Sequence, residues 1–269
     1  MKRIVLVGGG NMGEALVAGL IRSKHWKPSQ ITVTDVRAEQ LERLRKSYKV
    51  RTSEDNRWAA RDADLILLAV KPQQMKHVLE ELGPVIRQSQ LVLSIAAGIT
   101  TTFLESHLAK GVPTVRVMPN MPALVGAGAS VLALGRWAKE PHEKIAQEIL
   151  GTVGQVSTVA EKDMDAVTAV SGSGPAYVFY FAEAMTEAGV KLGLAPHIAD
   201  ALVRQTIRGA GQLLFQSHEA ASTLRQRVTS PGGTTEAALK SMEKARLKAT
   251  FSKALKRAAV RSQELSKGS

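Results

Sequence analysis

The chain lacks cysteine, and aromatic residues make up only 4% of its 269 residues. The missing cysteine excludes disulfides, thiolate metal ligands and cysteine nucleophiles, so a cytoplasmic location is the simplest expectation. No run of about 18 apolar residues occurs, so we expect no membrane partner. The residues Met1–Arg3 lead directly into a strand pattern, so no leader segment is expected either. Hydrophobic residues still make up 44% of the chain, and they predict a core of aliphatic side chains.

Three common kinds of site are also missing. The six histidines are scattered and form no H-x-x-x-H pair, so we expect no metal site. No G-x-x-x-x-G-K-[ST] phosphate loop occurs. The segment Ser171–Gly174 cannot form the nucleophile elbow of a hydrolase, because G-x-S-x-G needs a glycine two residues before the serine.

Basic residues outnumber acidic ones by 36 to 24, which gives a net charge of +12. The segment Lys240–Ser269 alone holds nine basic and two acidic residues. A basic tail can bind nucleic acid, but Leu247, Phe251 and Leu255 recur through this one at helical spacing. We therefore predict an amphipathic helix with a solvated basic face, and no nucleic-acid partner.

Strand patterns alternate with helical patterns over the first 160 residues. The predicted strands are Ile4–Val7, Ile31–Thr34, Leu65–Val70, Leu91–Ile95, Thr114–Met118, Ala129–Ala133 and Gln155–Val159. The predicted helices between them are Met12–Arg22, Ala38–Lys46, Gln73–Leu82, Thr101–Ala109 and Pro141–Leu150. This alternation predicts a parallel sheet covered by helices, in an α/β Rossmann-type doubly wound fold over residues 1–160.

Beyond about Glu161 the strand patterns disappear. Helices are predicted at Met164–Val170, Ala176–Leu192, Ile198–Gln216, Thr235–Ala245 and Leu247–Leu265. Pro175 suits the first turn of its helix, and Gly193 suits the end of the same helix. We therefore predict a second, all-α domain over residues 161–269.

A glycine-rich turn follows the first strand. Gly8, Gly10 and Gly13 fit G-x-G-x-x-G, in the order strand, turn, helix that binds a dinucleotide pyrophosphate. Asp35 ends the second strand 22 residues after Gly13, where a carboxylate binds the ribose 2′-hydroxyl of NAD. Arg37 offers a clamp for the 2′-phosphate of NADP instead. We predict dinucleotide binding with NADPH favoured and NADH as the alternative; a purely structural glycine turn is the other interpretation.

Later strands end in further candidate cofactor contacts, because the carboxyl ends of parallel strands line the ligand crevice. Lys71 and Pro72 follow one strand, and Ala97 and Asn120 follow the next two. Small residues there let a nicotinamide lie against the backbone, and the Asn120 amide suits its carboxamide. An ordinary solvated lysine and a stiff Asn-x-Pro turn are the alternatives.

The segment Val228–Thr235, with the sequence V-T-S-P-G-G-T-T, lies between two helical patterns. Gly232 and Gly233 let the backbone approach a ligand closely. The two threonines then begin a helix, whose first N–H groups lack internal partners and can hold a small carboxylate. A helix–loop–helix connection capped by threonine is the alternative.

Together these segments resemble the pyrroline-5-carboxylate reductase family. The resemblance rests on Gly8–Gly13, Val70–Pro72, Met118–Ala123 and Ser171–Tyr177, in the family's order, and on Val228–Thr235, which is similar to the family's signature turn. It covers nearly the whole chain. It implies a Rossmann domain, a helical dimerisation domain, an interlocked homodimer that can assemble further, and reduction of a cyclic imine to L-proline by NAD(P)H.

The resemblance also assigns site residues. Cofactor contacts fall at Val7, Gly8, Gly9, Gly10, Asn11, Met12, Asp35, Asn56, Val70, Lys71 and Ala97. Substrate positions fall at Thr234 and Thr235. A family glutamate corresponds to Glu219, with His218 as the other candidate, because the proline usual two residues later is missing. The segment Glu243–Arg246 also lacks a glycine that is common there, which puts the local helix break in question.

The implied substrate is an imine that carries a carboxylate. We assign the carboxylate to N–H groups around Gly233–Thr235, and the Thr235 hydroxyl to the ring nitrogen as orienter or proton donor. Ser171 and Pro175 are expected in the opposite wall. The imine nitrogen must be protonated for hydride addition, so no general base is required. The protein must instead orient the two reactants, which alone can supply about 7–11 kcal/mol.

Two other functions fit parts of the sequence. One is an imine or β-hydroxyacid reductase on the same fold, which typically needs a lysine or aspartate acid on an interdomain helix. The Ser-Pro-Gly-Gly-Thr-Thr turn argues against it. The other is a non-enzymatic NAD(P) sensor that binds nucleic acid through the basic C-terminal helix. Salt-dependent oligonucleotide binding without NADPH oxidation would favour the sensor.

Overall fold

The computed structural model describes residues 3–267, and for Lys267 it describes the backbone alone. Met1 and Lys2, where the absence of a leader is expected, lie outside the described residues, as do the outer ends of the two predicted domains. The structure divides into two compact units. The first unit contains Met1–Ser173 and Arg257–Ser269, and the second contains Gly174–Lys256. The units therefore separate at Gly174, later than residue 160, because the segment that includes the buried Met164 packs on the first unit. The 1–160 and 161–269 division stays a prediction about domains.

The first unit contains one eight-stranded sheet in the order β3-β2-β1-β4-β5-β6-β7-β8. Its strands are β1 Ile4–Val7, β2 Ile31–Thr34, β3 Arg51–Ser53, β4 Leu65–Leu68, β5 Leu91–Ser94, β6 Thr114–Met118, β7 Gly128–Leu134 and β8 Gly154–Thr158. Strands β1 to β6 are parallel, and Val7 pairs with Thr34 on one side and with Leu68 on the other. Three strands that carry predicted cofactor residues therefore end at the same edge of the sheet.

The prediction of an all-parallel sheet is wrong for the last two strands. Strand β7 runs antiparallel to β6, and β8 is parallel to β7. The connection Pro119–Ala127 holds only a short 3₁₀ turn at Met121–Val125. A parallel crossover needs a dozen or more residues, so this short connection can only reverse the chain.

Helices cover both faces of the sheet. They are α1 Asn11–Arg22, α2 Ala38–Tyr48, α3 Asn56–Arg61, α4 Pro72–Leu82, α5 Thr101–Ser106, α6 Glu140–Gly151 and α7 Met164–Val167. Successive side chains of β1 enter opposite cores, because strand side chains alternate between the faces. Ile4 and Leu6 join one apolar cluster, and Val5 and Val7 join the other.

The second unit is helical. It contains α8 Gly174–Lys191, α9 Pro196–Ser217, α10 Ala221–Arg227, α11 Thr234–Lys244 and the first part of α12 Leu247–Lys267. Gly193, with φ +98°, follows the end of α8 as predicted. Only Ala199 and Val203 of this unit are buried, whereas the first unit buries most of its apolar side chains.

The break between α11 and α12 forms without the expected glycine. Arg246 takes φ +54°, in the left-handed region that favours glycine, and α12 begins at the next residue. The helix break that the missing glycine put in question is therefore present, and an arginine occupies its left-handed position.

Candidate active site

The glycine turn after β1 fits a dinucleotide. The N–H of Gly8 donates to the Thr34 carbonyl at 2.8 Å, and Gly8 takes φ +102°. A Cβ at Gly8 would lie 2.7 Å from the Ala69 carbonyl oxygen, so only glycine lets the turn pass beside β4. A Cβ at Gly13 would collide with the carbonyl of Gly8 and with Leu6, so this glycine brings α1 close to β1. The first glycine therefore permits the tight turn after β1, and the third permits close packing of α1 on β1, as this motif requires.

The first turn of α1 faces open space. Gly10 is the N-cap and has no side chain to bond the first N–H groups, and a Cβ there would meet nothing within 4 Å. Asn11 is exposed and Met12 is half-buried. Free N–H groups at a helix start form an anion site, so this cradle suits a pyrophosphate.

Asp35, at the end of β2, is fully engaged by protein groups. Its side chain is 8% exposed, and Arg37 binds it through Nε at 3.0 Å and through a second guanidinium nitrogen at 3.1 Å. The N–H of Gly9 donates to the same carboxylate at 2.9 Å. Burial alone would raise the pKa of Asp35, but the hydrogen bonds from Arg37 and Gly9 hold this pKa below its usual value. Asp35 therefore fixes the glycine turn and carries a neutralised charge.

A recess beside Asp35 lies at the start of α2. It is lined by Arg37, Ala38, Glu39, Gln40 and Arg43. The side chain of Arg37 is 60% exposed, and no side chain caps the first turn of α2. Gln40, which sequence reasoning missed, donates to the carbonyl of Gly9 from one turn further along α2. The recess thus combines a cation with an open helix start, a suitable setting for a phosphate.

Three predicted contacts lie along the same edge of the sheet. Asn56 begins α3, accepts from the Thr34 hydroxyl at 2.6 Å and donates to Glu81 at 2.9 Å. Val70 is half-buried just beyond β4, and Lys71 is exposed as the N-cap of α4, which begins at Pro72. Their backbone position fits a cofactor edge, and their contacts with a cofactor stay predictions.

Asn120 connects two segments of the first unit. Its Nδ2 donates to the Ser171 carbonyl at 3.1 Å, and its Oδ1 accepts from the Ala129 N–H at 2.8 Å. Ser171 lies in a π-helical turn, Thr168–Gly172, and its hydroxyl donates to the Val167 carbonyl at 3.1 Å. Such turns are frequent at functional sites. The Asn120 amide thus has two protein partners, and these bonds favour a positioning role over the predicted nicotinamide contact.

In the second unit, the signature turn contains a tight reversal. The N–H of Gly233 donates to the Ser230 carbonyl at 3.0 Å, with Pro231 second and Gly232 third in the turn at φ +71°, as in a type II turn. Glu236 accepts from the Gly232 N–H at 2.8 Å. Both hydrogen bonds hold the turn against the start of α11.

This geometry changes the predicted substrate donors. Gly233 is the N-cap of α11 and has its own N–H already paired. The N–H groups of Thr234 and Thr235 have no partner among residues 3–267. Gly233 is therefore wrong as a free N–H donor, because the turn uses its N–H, and the donors left at this helix start belong to Thr234, Thr235 and Glu236.

Glu219 lies between α9 and α10, and its exposure and contacts differ from those of the adjacent His218. His218 is exposed and takes φ +56° at the end of α9. The side chain of Glu219 is 30% exposed and binds Arg227, the last residue of α10, at 2.6 Å. Arg227 was missed by sequence reasoning, which had no signal for a pair formed across a helix. Ala221, where the family proline is missing, begins α10 all the same.

The predicted site residues are distributed over both units. The cofactor positions and Ser171 belong to the first unit, whereas Pro175, Glu219 and Gly233–Thr235 belong to the second. Within the described part of the chain, no group of three or more histidine, aspartate or glutamate residues could hold a metal ion. None of the helices formed by residues 3–267 is long and apolar enough to cross a membrane.

The strand order of β1 to β6, together with the glycine turn at the switch between β1 and β4, is the dinucleotide-binding arrangement of the Rossmann fold. A family model for NADP oxidoreductases dependent on coenzyme F420 matches residues 3–98. The fold and this match together place the chain in the class of nicotinamide-dependent oxidoreductases. A model for pyrroline-5-carboxylate reductase dimerisation matches residues 161–265.

Full-length relatives define the family. The chain is 44% identical over 264 residues to a pyrroline-5-carboxylate reductase of Pseudomonas aeruginosa, with 98% of this chain and 96% of the relative covered. It is similar to a solved pyrroline-5-carboxylate reductase of Coxiella burnetii, with TM-score 0.94, 41% identity and 98% of both chains covered. A Plasmodium falciparum pyrroline carboxylate reductase, solved with NADP bound, gives TM-score 0.87, 32% identity and 98% of both chains. The chain therefore belongs to the pyrroline-5-carboxylate reductase family, whose members are NAD(P)H-dependent oxidoreductases acting on a C=N bond.

Proposed function

We propose that this chain reduces pyrroline-5-carboxylate to L-proline, with NADPH as its preferred donor and Thr235 as its catalytic residue. The observation that carries the proposal is the start of α11, where a type II turn presents two unpaired N–H groups and two threonine hydroxyls. A small carboxylate attached to an imine matches this set of donors.

The start of α11 suits the substrate carboxylate. The N–H groups of Thr234 and Thr235 can donate to it, and the helix dipole favours a negative charge there. Glu236, in the same turn, would repel an anion if its charge were free. Lys240 binds Glu236 at 3.0 Å, and hydrogen bonds from Lys240 and the Gly232 N–H lower the pKa of this carboxyl. The local negative charge is therefore paired.

The Thr235 hydroxyl is assigned to the ring nitrogen. When bound, the reduced nicotinamide supplies a hydride to the imine carbon. The nitrogen must be protonated for that addition, and Thr235 holds or donates the proton at its hydroxyl. Glu219, kept in place by Arg227, is assigned to the substrate side because the resemblance to the family places a glutamate at this position.

The preference for NADPH rests on the pair Asp35 and Arg37. Both carboxylate oxygens of Asp35 already accept hydrogen bonds from Arg37 or Gly9, so Asp35 is a poor partner for a ribose 2′-hydroxyl. Arg37 adds a positive charge beside the open start of α2. A positive charge beside free helix N–H groups favours binding of the 2′-phosphate of NADPH.

The second unit is assigned to self-association as an interlocked homodimer. Its exposed apolar side chains support this assignment, because they need a cover that one copy does not provide. A cytoplasmic location stays a prediction, supported by the absence of cysteine.

One assay tests the proposal. Purified protein is mixed with pyrroline-5-carboxylate and either NADPH or NADH, cofactor oxidation is followed by absorbance, and the product is identified by mass spectrometry. We expect proline, with a higher kcat/KM for NADPH. Failure to form proline with either cofactor would remove the function. A kcat/KM more than about tenfold higher for NADH would remove only the cofactor preference.

A further inference from the structure

Among residues 247–266 of helix α12, one polar side chain is buried. Ser262 is 4% exposed, whereas its neighbour Leu265 is 49% exposed. A buried hydroxyl is costly unless it is hydrogen-bonded. The Ser262 hydroxyl donates to Asp165 Oδ1 at 2.6 Å, across 97 residues of sequence. Its length is typical of a strong bond to a charged acceptor.

Asp165 belongs to α7, directly before the π-helical turn that carries Ser171. The N–H of Ser173 donates to the Thr168 carbonyl at 2.8 Å and closes that turn. Asn120 then binds the Ser171 carbonyl, as described above. The bond from Ser262 therefore fixes the beginning of a segment whose end lies on the cofactor side of the first unit.

The same turn of α12 touches a second cofactor-side segment. A Cβ added at Gly98 would lie 3.4 Å from Cβ of Leu265 and 3.6 Å from the N of Ser266. Gly98 takes φ +79° and follows Ala97, a predicted cofactor contact. One helical turn is thus in contact with the loop after β5 and bonded to α7.

We propose that Ser262 is a positioning residue for the segments Ala96–Gly98 and Thr168–Ser173, which we call the nicotinamide wall. The proposal rests on the function proposed above. Ser262 and Asp165 hold the two parts of this wall in register through α12. The pyrophosphate cradle and the Asp35–Arg37 pair lie on other segments, so the bond governs the orientation of the nicotinamide more than the affinity for the cofactor.

Three variants separate positioning from simple stability. Ser262→Ala removes the hydroxyl. Ser266→Ala is the matched control, because within residues 3–266 its hydroxyl donates to carbonyls of its own helix, those of Ser262 and Gln263 at 3.1 Å. Asp165→Asn is the rescue variant, because its amide oxygen still accepts the bond from Ser262.

The first readout is steady-state kinetics. We expect Ser262→Ala to lower kcat about tenfold, within the range that a small misplacement of reactants costs, with a nearly unchanged KM for NADPH. Ser266→Ala and Asp165→Asn should keep kcat within about twofold of the unaltered protein. A kcat within twofold for Ser262→Ala, or equal losses in all three variants, would overturn the proposal. A loss of thermal stability alone, with unchanged kcat, would also overturn it.

The second readout needs no substrate. The emission of bound NADPH reports how rigidly the nicotinamide is held, and its titration gives Kd for the folded fraction. We expect Ser262→Ala to lower the emission of bound NADPH at an unchanged Kd, and Ser266→Ala to leave both unchanged. Unchanged emission in Ser262→Ala would contradict the positioning role even if the chain proved to reduce a different imine.

Discussion

Helix α1 in the first unit and helix α8 in the second are both rich in apolar residues, but their side chains have different surroundings. On α1, Leu16 and Leu20 are 0% exposed. On α8, Phe179 and Tyr180 are 58% and 74% exposed. The first unit therefore completes its core from its own chain, and the second leaves large aromatic side chains uncovered.

The difference separates two ways of forming a stable domain. Exposed apolar patches of this kind mark interfaces, and the helices of the second unit are matched by a dimerisation family model. The apolar groove between α8 and α9 is lined by residues that include Val178, Phe179, Val190, Val203 and Ile207. The first unit carries the predicted cofactor residues, and the second carries most of the predicted substrate residues together with the association surface. Substitutions in the first unit should therefore change the use of the cofactor, whereas substitutions in the second should change association or catalysis.

The largest effect is expected from a charge placed in the uncovered face. Phe179→Asp should dissociate the homo-oligomer, because a symmetric interface loses two phenylalanines at once. At roughly 2 kcal/mol each, the loss corresponds to a dissociation constant about 10³-fold higher. Light scattering coupled to size-exclusion chromatography measures the molar mass. Val125→Asp, at a residue of the first unit that is 79% exposed, is the control and should leave the molar mass unchanged. Equal masses for both variants would mean that the two faces do not differ.

The next effect concerns chemistry in the second unit. Thr235→Val keeps the shape and removes the hydroxyl, so kcat/KM should fall about 10²-fold, the low end for a positioned proton-transfer group. The affinity for NADPH should not change, because the predicted cofactor contacts lie in the first unit. Thr250→Val, which removes a hydroxyl that donates to the carbonyl of Arg246, directly before α12, at 3.4 Å, is the control. Activity of Thr235→Val within twofold of the unaltered protein would remove Thr235 from the mechanism.

A smaller effect is expected at the cofactor recess of the first unit. Arg37→Ala should lower kcat/KM for NADPH about tenfold, because a hydrogen bond to a charged group contributes about 1.5–3 kcal/mol. The value for NADH should change little, and the molar mass should stay the same. Arg37→Lys keeps the charge without the paired donors and should fall between the two. Parallel losses with NADPH and NADH would show that Arg37 does not read the 2′-phosphate.

The smallest effect is a gain in stability in the second unit. Arg246 takes φ +54°, which costs a non-glycine residue about 1–2 kcal/mol. Arg246→Gly should therefore raise the free energy of unfolding by about 1 kcal/mol, measured by denaturant titration. Arg246→Ala removes the same side chain but keeps the strain, so it should show no gain. A similar gain in both variants would assign the effect to the lost charge.

Sequence reasoning found the regular elements of the first unit and missed the short ones. Strands β1, β2 and β6 have the predicted bounds, because β1 is a continuous apolar run and β2 and β6 are rich in the β-branched residues typical of strands. Strand β3 and helix α3, of three and six residues, were missed, although helix α5, which also has six residues, was predicted. The reversal at β7 was missed although the predicted strand bounds leave only ten residues for the connection, too few for a parallel crossover.

The features of the candidate site likewise fall into those that the sequence predicted and those that it did not. Gly8, Gly13 and the Thr235 turn were visible because a fixed local spacing performs a fixed backbone task. The pairing of Asp35 with Arg37, of Glu219 with Arg227 and of Ser262 with Asp165 depends on distances that only the fold sets. The occupied N–H of Gly233 is likewise a property of the turn and not of its composition.

The most direct test of C=N reduction by this chain is to trace the hydride from NADPH into the product. The protein is given pyrroline-5-carboxylate and NADPH carrying deuterium at C4 of the nicotinamide, on each face in turn, and the proline formed is analysed by mass spectrometry and NMR. The account predicts one deuterium from one of the two faces, on the ring carbon bonded to nitrogen on the side away from the carboxylate carbon. Proline without deuterium, or deuterium at any other carbon, would contradict direct reduction of the C=N bond by this chain.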